Sequence, residues 1–405
     1  MLLTDWLRLL AASPSPIPAR RRVDRKRRRG VAVSSPATLC SQPESLEKRA
    51  LLSAASILLS DISGATGFQI LGEPAPNDDR FGSSMRTAGD VNGDGFEDVI
   101  IGANEQNDDD EPFVDMNSGA VYVLFGKSSG VSYPSDVNNL QPGDGFRILG
   151  TDRSDTGTAV SGAGDINGDG FDDLVVAAPS YSMGAISNNP IASSYVIFGK
   201  ANNTDVQISS IDAGASDSVG FRLTGFESTN FNARDSIATG GDINGDGYDD
   251  VVFGAPKTRV DGVYGVGAAY VVFGKSAGFS NLDITDINGT NGFSFTDSAR
   301  GYSSTAAYVG AAVSLGGDVN GDGFDDLVVG APGQNKYRAS GEYDGEAYVV
   351  FGRSSFSSTP TIQANTLNGT NGFVATGLVG QQARTGFSVS SGGDVNGDGI
   401  DDFVV

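Results

Sequence analysis

From about residue 62 onward, short apolar runs alternate with polar stretches rich in glycine, and no helical periodicity of useful length appears. The runs are rich in Val, Ile, Tyr and Phe and are bounded by Gly, Asn, Asp and Ser, the pattern of short β-strands joined by tight turns. About four such runs recur in each stretch of about 76 residues. The sequence therefore predicts an all-β chain assembled from small antiparallel sheets of about four strands each.

One nine-residue motif, DxNGDGxxD, marks every copy of this unit. It begins at Asp90, Asp165, Asp242, Asp318 and Asp394, so successive starts are 75, 77, 76 and 76 residues apart. A constant period of this size indicates one supersecondary unit copied in tandem. Four-stranded units of this length favour a β-propeller, in which neighbouring sheets bury their faces against each other. A β-helix of calcium-binding nonapeptides is the alternative all-β fold, but its loops would recur about every nine residues.

Other landmarks keep the phase of the motif. An apolar run follows each motif, a Tyr-Val stretch comes next, and a Gly-Phe pair leads into the following copy. On these landmarks we predict a basic leader over residues 1–60 and a propeller over residues 62–405. The predicted repeats lie near residues 67–127, 145–200, 220–275, 292–353 and 372–405, the last of them truncated.

The motif has the chemistry of a calcium loop. Ions of this size take six to eight oxygens from carboxylates, amides, main-chain carbonyls and water. Positions 1, 3 and 5 supply Asp, Asn and Asp, while glycines at positions 4 and 6 let the chain wind tightly. The carbonyl at position 7 and the carboxylate at position 9 complete the predicted shell. The predicted ligands are Asp90, Asn92, Asp94, Phe96, Asp98, Asp165, Asn167, Asp169, Phe171, Asp173, Asp242, Asn244, Asp246, Tyr248, Asp250, Asp318, Asn320, Asp322, Phe324, Asp326, Asp394, Asn396, Asp398, Ile400 and Asp402.

A plain hairpin turn is the alternative interpretation, because Asn-Gly and Asp-Gly are favoured turn pairs. A turn explains the glycines but not the aspartate at positions 1, 5 and 9 of all five copies. Two carboxylates about 4 Å apart would repel by roughly 4 kcal/mol at an effective dielectric near 20. We therefore expect up to five Ca²⁺ ions, one per loop, with calcium favoured over magnesium. The acidic residue at position 8 is expected to face solvent or to cap the hairpin rather than to contact the ion.

The amino-acid composition excludes most other kinds of functional site. The chain has no histidine and one cysteine, Cys40, which excludes imidazole bases, Ser/His/Asp triads, internal disulfides and zinc clusters. The net charge is −23, and the residues beyond 50 carry a balance of −30 while the first 50 carry +7. The motifs account for much of that acidity. No carboxylate pair stands out as a catalytic pair, so we predict that the chain is not an enzyme.

The basic leader has the order of an export signal, with Arg20 to Arg29 followed by the apolar residues 50–59. This apolar stretch is too short to span a bilayer, and no other candidate span appears. A disordered basic tail and a nucleic-acid patch are the alternatives, but no aromatic residues interleave the basic ones. Residues 44–54 (ESLEKRALLSA) also resemble the LExRxLLSA stretch near the start of many large exported proteins of planctomycete bacteria. We therefore predict a secreted or cell-surface bacterial protein that binds no nucleic acid.

The pattern GDxNGDGxxDxxVGAP, present at residues 241–256 and 317–332, resembles the FG-GAP repeat of the integrin α-subunit amino-terminal β-propeller. The resemblance covers about residues 62–405. It implies that the calcium loop joins the first two strands of a blade, over residues 82–89 and 99–103 in the first copy. Residues 122–126 and 146–149 would be the third and fourth strands. Residues 68–71 would then be a detached outer strand that completes the last blade.

The chain departs from this family in two respects. At the family's Phe-Gly position the literal pair is present only in the first copy, at Phe81-Gly82, and two copies of Gly-Ala-Pro are imperfect, at residues 102–104 and 177–179. The family ring has seven blades, which at about 76 residues each needs roughly 530 residues. This chain reaches two strands of its fifth blade at Val405. We therefore expect a fragment of a longer protein, with about five of seven repeats.

The resemblance implies a module for adhesion or ligand binding, with an extracellular protein or polysaccharide as partner. The expected binding loops join the second and third strands, at residues 104–118, 180–192 and 333–346. The first of them carries five acids, Asp108, Asp109, Asp110, Glu111 and Asp115, although a solvated long hairpin is the simpler interpretation. The alternative function is a non-catalytic scaffold propeller within a larger exported hydrolase. Integrin-type signalling with a β-subunit is a third possibility.

Overall fold

The computed structural model describes residues 68–72, 79–105, 117–128, 133–134, 136–179, 191–214, 217–227, 237–298, 307–333, 344–377 and 383–405. The leader over residues 1–60 lies outside the described residues, as do most of the three expected binding loops. The described residues form five β-sheets and very little helix. The all-β prediction is therefore confirmed.

Each sheet corresponds to one repeat. In chain order the strands are β1 Ser84–Gly89, β2 Asp98–Ala103, β3 Ala120–Leu124, β4 Gly145–Leu149, β5 Ala159–Gly164, β6 Asp173–Ala178, β7 Ile191–Ile197, β8 Val206–Gln207, β9 Gly220–Glu227, β10 Ile237–Gly241, β11 Asp250–Ala255, β12 Ala268–Val272, β13 Leu282–Asp283, β14 Gly292–Thr296, β15 Ala312–Leu315, β16 Leu327–Ala331, β17 Glu346–Val350, β18 Thr361–Gln363, β19 Gly372–Thr376, β20 Ser390–Gly393 and β21 Asp402–Val404. The helical segments are α1 Ile208–Asp212 and the 3₁₀ turns Val137–Asn139, Ile284–Asp286 and Ala364–Thr366.

The first four sheets share one antiparallel order, in which four main strands follow one another as predicted. Sheet 1 runs β1-β2-β3-β4, and sheets 2, 3 and 4 repeat this order with their own strands. The fifth sheet contains β20 and β21. The predicted strands of the first copy agree with the structure to within about two residues, since β1 and β2 begin at Ser84 and Asp98.

A fifth, short strand extends the first three sheets and was not predicted. It comes from the next repeat, between that repeat's third and fourth main strands, and pairs in parallel with the outer main strand. In sheet 1 this strand is β8, with Ile148 opposite Val206. Leu71 makes the same kind of parallel bridge to Asp136. Residues 68–71 therefore take the place of a fourth strand that precedes sheet 1.

The hydrophobic cores lie between consecutive sheets. One core joins Ile100 and Val121 of sheet 1 to Leu174 and Val176 of sheet 2, and equivalent cores join sheet 2 to sheet 3 and sheet 3 to sheet 4. The second strand of each of the first four sheets is buried almost throughout, which explains its continuous apolar run. Stacking of this kind, with each sheet packed on its neighbours, is the arrangement of blades in a β-propeller.

The first strands of the blades pack side by side and include small residues, such as the SGAG of β5. Space between them is limited. A Cβ on Gly162 of β5 would lie 2.8 Å from the carbonyl oxygen of Ala88 in β1. Glycine and alanine therefore allow the first strands of neighbouring blades to approach closely. The DxNGDGxxD motif occupies the turn that leaves each of these strands.

Candidate metal sites

The first loop joins β1 to β2, and its hydrogen bonds bring positions 1, 3 and 5 together. The backbone N–H of Asp94 donates to Oδ1 of Asp90 at 2.9 Å and to Oδ1 of Asn92 at 2.8 Å. Oδ2 of Asp90 accepts the N–H of Gly95 at 2.9 Å. Because two side-chain oxygens point at one N–H group, they lie on the same side of the turn. Glycine is needed at positions 4 and 6, where Gly93 and Gly95 have φ of 73° and 90°.

The other loops repeat this arrangement. In the second, third and fourth loops the N–H at position 5 donates both to the aspartate at position 1 and to the asparagine at position 3, at 2.8–3.0 Å. In the fifth loop the N–H of Asp398 donates to Oδ1 of Asp394 at 3.0 Å. There the side-chain N–H of Asn396 donates instead to Asp402, at 3.4 Å. Positions 1 and 5 thus meet in all five loops, and position 3 joins them in four.

Position 9 lies at the base of the loop and is buried in the first four loops. The exposed fraction is 0% for Asp98, Asp173, Asp250 and Asp326. Each of them begins or immediately precedes the second strand of its sheet, although the glycines of the same loop face solvent. One oxygen of each carboxylate accepts the N–H of position 2, at 2.9 Å. The other accepts the N–H of the glycine that follows the third strand, at 2.7–2.9 Å. Position 9 therefore ties the loop to the third strand of its own blade, a role that the sequence did not predict.

Burial shifts the ionisation of these aspartates. Desolvation raises the pKa of Asp98 to about 6 and the pKa of Asp326 to about 7, despite backbone hydrogen bonds that lower it. Desolvation likewise raises the pKa of Asp173 and of Asp250 to about 8. In each case the negative charges at positions 1 and 5 act in the same direction as burial. Three carboxylates of one loop are thus close enough to repel one another.

Position 7 connects each loop to the one before it. Its N–H donates to the position 5 carboxylate, as Phe171 does to Asp169 at 3.0 Å. Its ring lies over the position 4 glycine of the preceding loop, so a Cβ on Gly93 would be 2.7 Å from the Phe171 ring. Tyr248 and Phe324 lie in the same way on Gly168 and Gly245. The aromatic residues in the motif therefore pack between loops, whatever their carbonyl oxygens bind.

Position 8 differs from the sequence expectation of solvent exposure or hairpin capping. The carboxylate of Asp172 accepts the backbone N–H of Asp90 at 2.7 Å, although 82 residues separate them. Asp249, Asp325 and Asp401 make the same contact with position 1 of the loop before each of them. The sequence did indicate a role for position 8, because this position is acidic in all five copies. Its partner was not predictable, since the contact joins two repeats.

The donor set fits a hard divalent cation. Every candidate side chain offers carboxylate or amide oxygen, and the mutual repulsion of positions 1, 5 and 9 would be relieved by positive charge. Within the described ranges, no three acidic or cysteine side chains stand in an arrangement that by itself could hold a metal ion. A complete calcium shell in one loop would therefore draw on the asparagine, the main-chain carbonyl at position 7 and water as well. The set of five ligands per loop stays a prediction.

The repeats match the model of a known protein family. Residues 81–124, 156–196, 233–272 and 309–350 each match the family model described as FG-GAP repeat. These four segments contain the first four motifs. Among the described residues, no helix is long and apolar enough to cross a membrane.

Two kinds of curated relatives are similar to part of this chain. The chain is 30% identical to human integrin alpha-6 over 151 residues, and 36% identical to mouse integrin alpha-3 over 106 residues. It is 32% identical to bovine phosphatidylinositol-glycan-specific phospholipase D over 126 residues. These matches cover 26–37% of the chain but only 9–14% of the length of the relatives. The chain is an FG-GAP repeat protein, and its β-propeller repeats resemble those of the integrin α-subunits.

Proposed function

We propose that the chain is a calcium-binding β-propeller module that acts in adhesion or ligand binding outside the cell. The observation that supports it is the convergence of the Asp90 and Asn92 oxygens on one N–H group, repeated in four of the five loops. This convergence leaves carboxylate and amide oxygens gathered on one side of a tight turn, where calcium is the ion of matching size and hardness. The proposed capacity is up to five Ca²⁺ ions, one per motif.

In this proposal the ions are structural. Each loop connects the first two strands of its blade, and position 9 also holds the third strand. An ion that binds the folded loop but not the unfolded chain stabilises the fold by mass action, by about 2.7 kcal/mol per site at a free concentration of 100 times Kd. Calcium would thus hold together three strands in each of the first four blades.

Metal stoichiometry tests the calcium proposal directly. Purified protein is saturated with Ca²⁺, freed of unbound ions by gel filtration and analysed by atomic emission, and its melting temperature is measured with and without EGTA. We expect between four and five ions per chain and a lower melting temperature in EGTA. Fewer than one ion per chain, or an unchanged melting temperature, would rule out structural calcium.

The ligand-binding part of the proposal places the partner at the other end of the blades. Each motif lies where the second strand begins, and the connections over residues 104–118, 180–192 and 333–346 lie where it ends. The integrin relatives support an extracellular protein or polysaccharide as partner. Replacing residues 106–116 with a Gly-Ser linker should abolish binding to a protein and glycan array while leaving calcium stoichiometry unchanged.

The second candidate function is a non-catalytic scaffold within a larger secreted hydrolase, and the similarity to phosphatidylinositol-glycan-specific phospholipase D favours it. Sequencing the gene on both sides of this segment separates the two candidates. A hydrolase domain in the same reading frame supports the scaffold. A surface anchor or further adhesion modules support the adhesion role.

A further inference from the structure

Successive loops are joined by a pair of hydrogen bonds around the first residue of the motif. The position 8 carboxylate accepts the N–H of position 1 in the preceding loop, at 2.7–3.0 Å. The backbone N–H of position 8 donates in turn to the carbonyl oxygen of that same residue, at 3.1–3.3 Å. The pairs are Asp172 with Asp90, Asp249 with Asp165, Asp325 with Asp242, and Asp401 with Asp318.

This pair of hydrogen bonds fixes the backbone of position 1, whose carboxylate accepts the N–H groups that shape the loop. Asp165 accepts the N–H groups of Asp169 and Gly170 with its carboxylate, so its orientation sets the shape of the second loop. Both of its backbone polar groups are bonded to Asp249 of the next repeat. The φ and ψ angles of Asp165 are therefore held from outside its own loop. A carboxylate fixed in this way loses less conformational entropy when it binds an ion.

The third loop also lies in close contact with the glycines on either side of Asp165. A Cβ on Gly164, just before Asp165, would lie 2.3 Å from Oδ2 of Asp249. A Cβ on Gly168 would lie 2.4 Å from the ring of Tyr248. Positions 7 and 8 of the third loop thus contact the second loop at its start and at its turn. The glycine before position 1 therefore leaves space for the position 8 acid of the following repeat.

We propose that the position 8 acids are positioning residues, each of which orders the metal loop of the preceding repeat. Asp325 also accepts the N–H of Gly317, which precedes its own loop, at 3.1 Å. This inference rests on the proposed calcium binding. It also implies coupling between sites, because an ion in the third loop would bind residues on both sides of Asp249. Calcium binding in one loop would then order the loop of the preceding repeat, and neighbouring sites would bind calcium cooperatively.

Calorimetric calcium titration of loop-silenced variants tests the direction of this effect. Asp249→Ala is combined with Asp246→Ala, which silences the third loop, and separately with Asp169→Ala, which silences the second. In the Asp246→Ala background, Asp249→Ala should weaken one remaining site by about tenfold, the effect of losing one charge-assisted hydrogen bond. In the Asp169→Ala background it should leave the remaining sites unchanged. Asp249→Asn, which keeps an acceptor oxygen, should restore most of the affinity.

Two controls separate positioning from a general loss of structure. Glu97 has the same position in the first loop, and the sequence contains no DxNGDGxxD motif before that loop, so Glu97→Ala should titrate as the wild type. In EGTA, the Asp165 amide should exchange with deuterium faster in Asp249→Ala than in the wild type. Faster exchange needs no bound ion, so this readout is independent of calcium.

The outcomes distinguish the two proposals. If the wild type binds no calcium, the proposed function and the positioning role at metal sites both fail. If the wild type binds calcium but Asp249→Ala weakens every site equally, or weakens the same number of sites in both backgrounds, only the positioning role is overturned. A background-dependent loss restored by asparagine would support it.

Discussion

Gly102 of the second strand lies against the backbone of Gly157 in the following repeat, where a Cβ on Gly102 would be 2.1 Å from the Gly157 carbonyl oxygen. Gly102 belongs to the Gly-Ala-Asn segment and Gly157 to the Thr-Gly segment that replaces Phe-Gly in the second copy. Gly330 meets Gly386 in the same way, at 2.0 Å. The glycine of the Gly-Ala-Pro segment in one repeat and the glycine at the Phe-Gly position of the next repeat thus form one close contact between blades.

Substitution at this contact should separate the blades. In Gly330→Ala the methyl group would overlap the Gly386 carbonyl oxygen, which belongs to backbone and cannot rotate away. We expect a loss of about 1–3 kcal/mol in the free energy of unfolding, the usual cost of overpacking a close contact. Urea denaturation of the purified variant measures it.

The chain contains its own control for this experiment. The residue equivalent to Gly102 and Gly330 in the second blade is Ala177, which the structure accommodates in β6. Ala177→Gly should therefore not stabilise the protein, and it should cost up to about 1 kcal/mol through backbone entropy. If Gly330→Ala were as stable as the wild type, the close approach of Gly330 to Gly386 would not limit the packing of these blades.

The sequence predicted the strands well because their determinants are local. Apolar runs such as that of β2 and the turn residues of each motif specify strand, turn and repeat length within one unit. The fifth strands were missed, since β8 is two residues long and pairs with a strand of the preceding blade. No periodicity is visible in so short a segment.

The predicted site was incomplete for the same reason. Positions 1, 3 and 5 meet through hydrogen bonds within five residues of chain, so spacing alone indicated their convergence. The partner of Asp172 is 82 residues away, and the glycine bound by Asp98 is 28 residues away. Contacts of this length depend on how blades and strands pack, and one sequence does not reveal them.

Positions 5 and 9 of one loop should respond differently to substitution. Asp250 is buried and accepts the N–H groups of Ile243 and Gly274, so Asp250→Ala leaves two buried donors without their acceptor. We expect a loss of about 2–5 kcal/mol, measured by denaturation in EGTA. Asp246 is exposed, and Asp246→Ala should keep most of the metal-free stability while losing one calcium site. Equal losses for both variants in EGTA would contradict the separate roles of the two positions.

A buried tyrosine at the other end of the fourth blade should also contribute to stability. The Tyr348 hydroxyl lies 2.9 Å from Oδ2 of Asp297 and 2.8 Å from Oε2 of Glu346, and all three residues are buried. Tyr348→Phe removes a hydroxyl that bonds to two acids, which should cost about 1–3 kcal/mol. Tyr308→Phe is the matched control, with an expected change below about 0.5 kcal/mol. Thermal denaturation of both variants provides the comparison, and equal stabilities would show that the buried hydroxyl contributes nothing.

The raised pKa values at position 9 predict that calcium stabilises the protein more as the pH rises. Burial raises the pKa of Asp173 and of Asp250 to about 8, above the value of about 4 expected in an unfolded chain. The folded state therefore binds these protons more tightly, and the resulting stability is present at low pH and is lost as the pH rises towards 8. Calcium competes with the same protons, so it should bind more weakly at pH 5 than at pH 8.

Melting temperatures with EGTA and with excess Ca²⁺, measured from pH 5 to pH 8, check this prediction. The increase in melting temperature caused by calcium should grow across this range, and calcium binding at pH 7 should release protons, detectable by titration in buffers of different ionisation enthalpy. In Asp250→Asn one site no longer titrates, so fewer protons should be released. A calcium-induced increase that is the same at pH 5 and pH 8 would show that the buried aspartates do not exchange a proton for the ion.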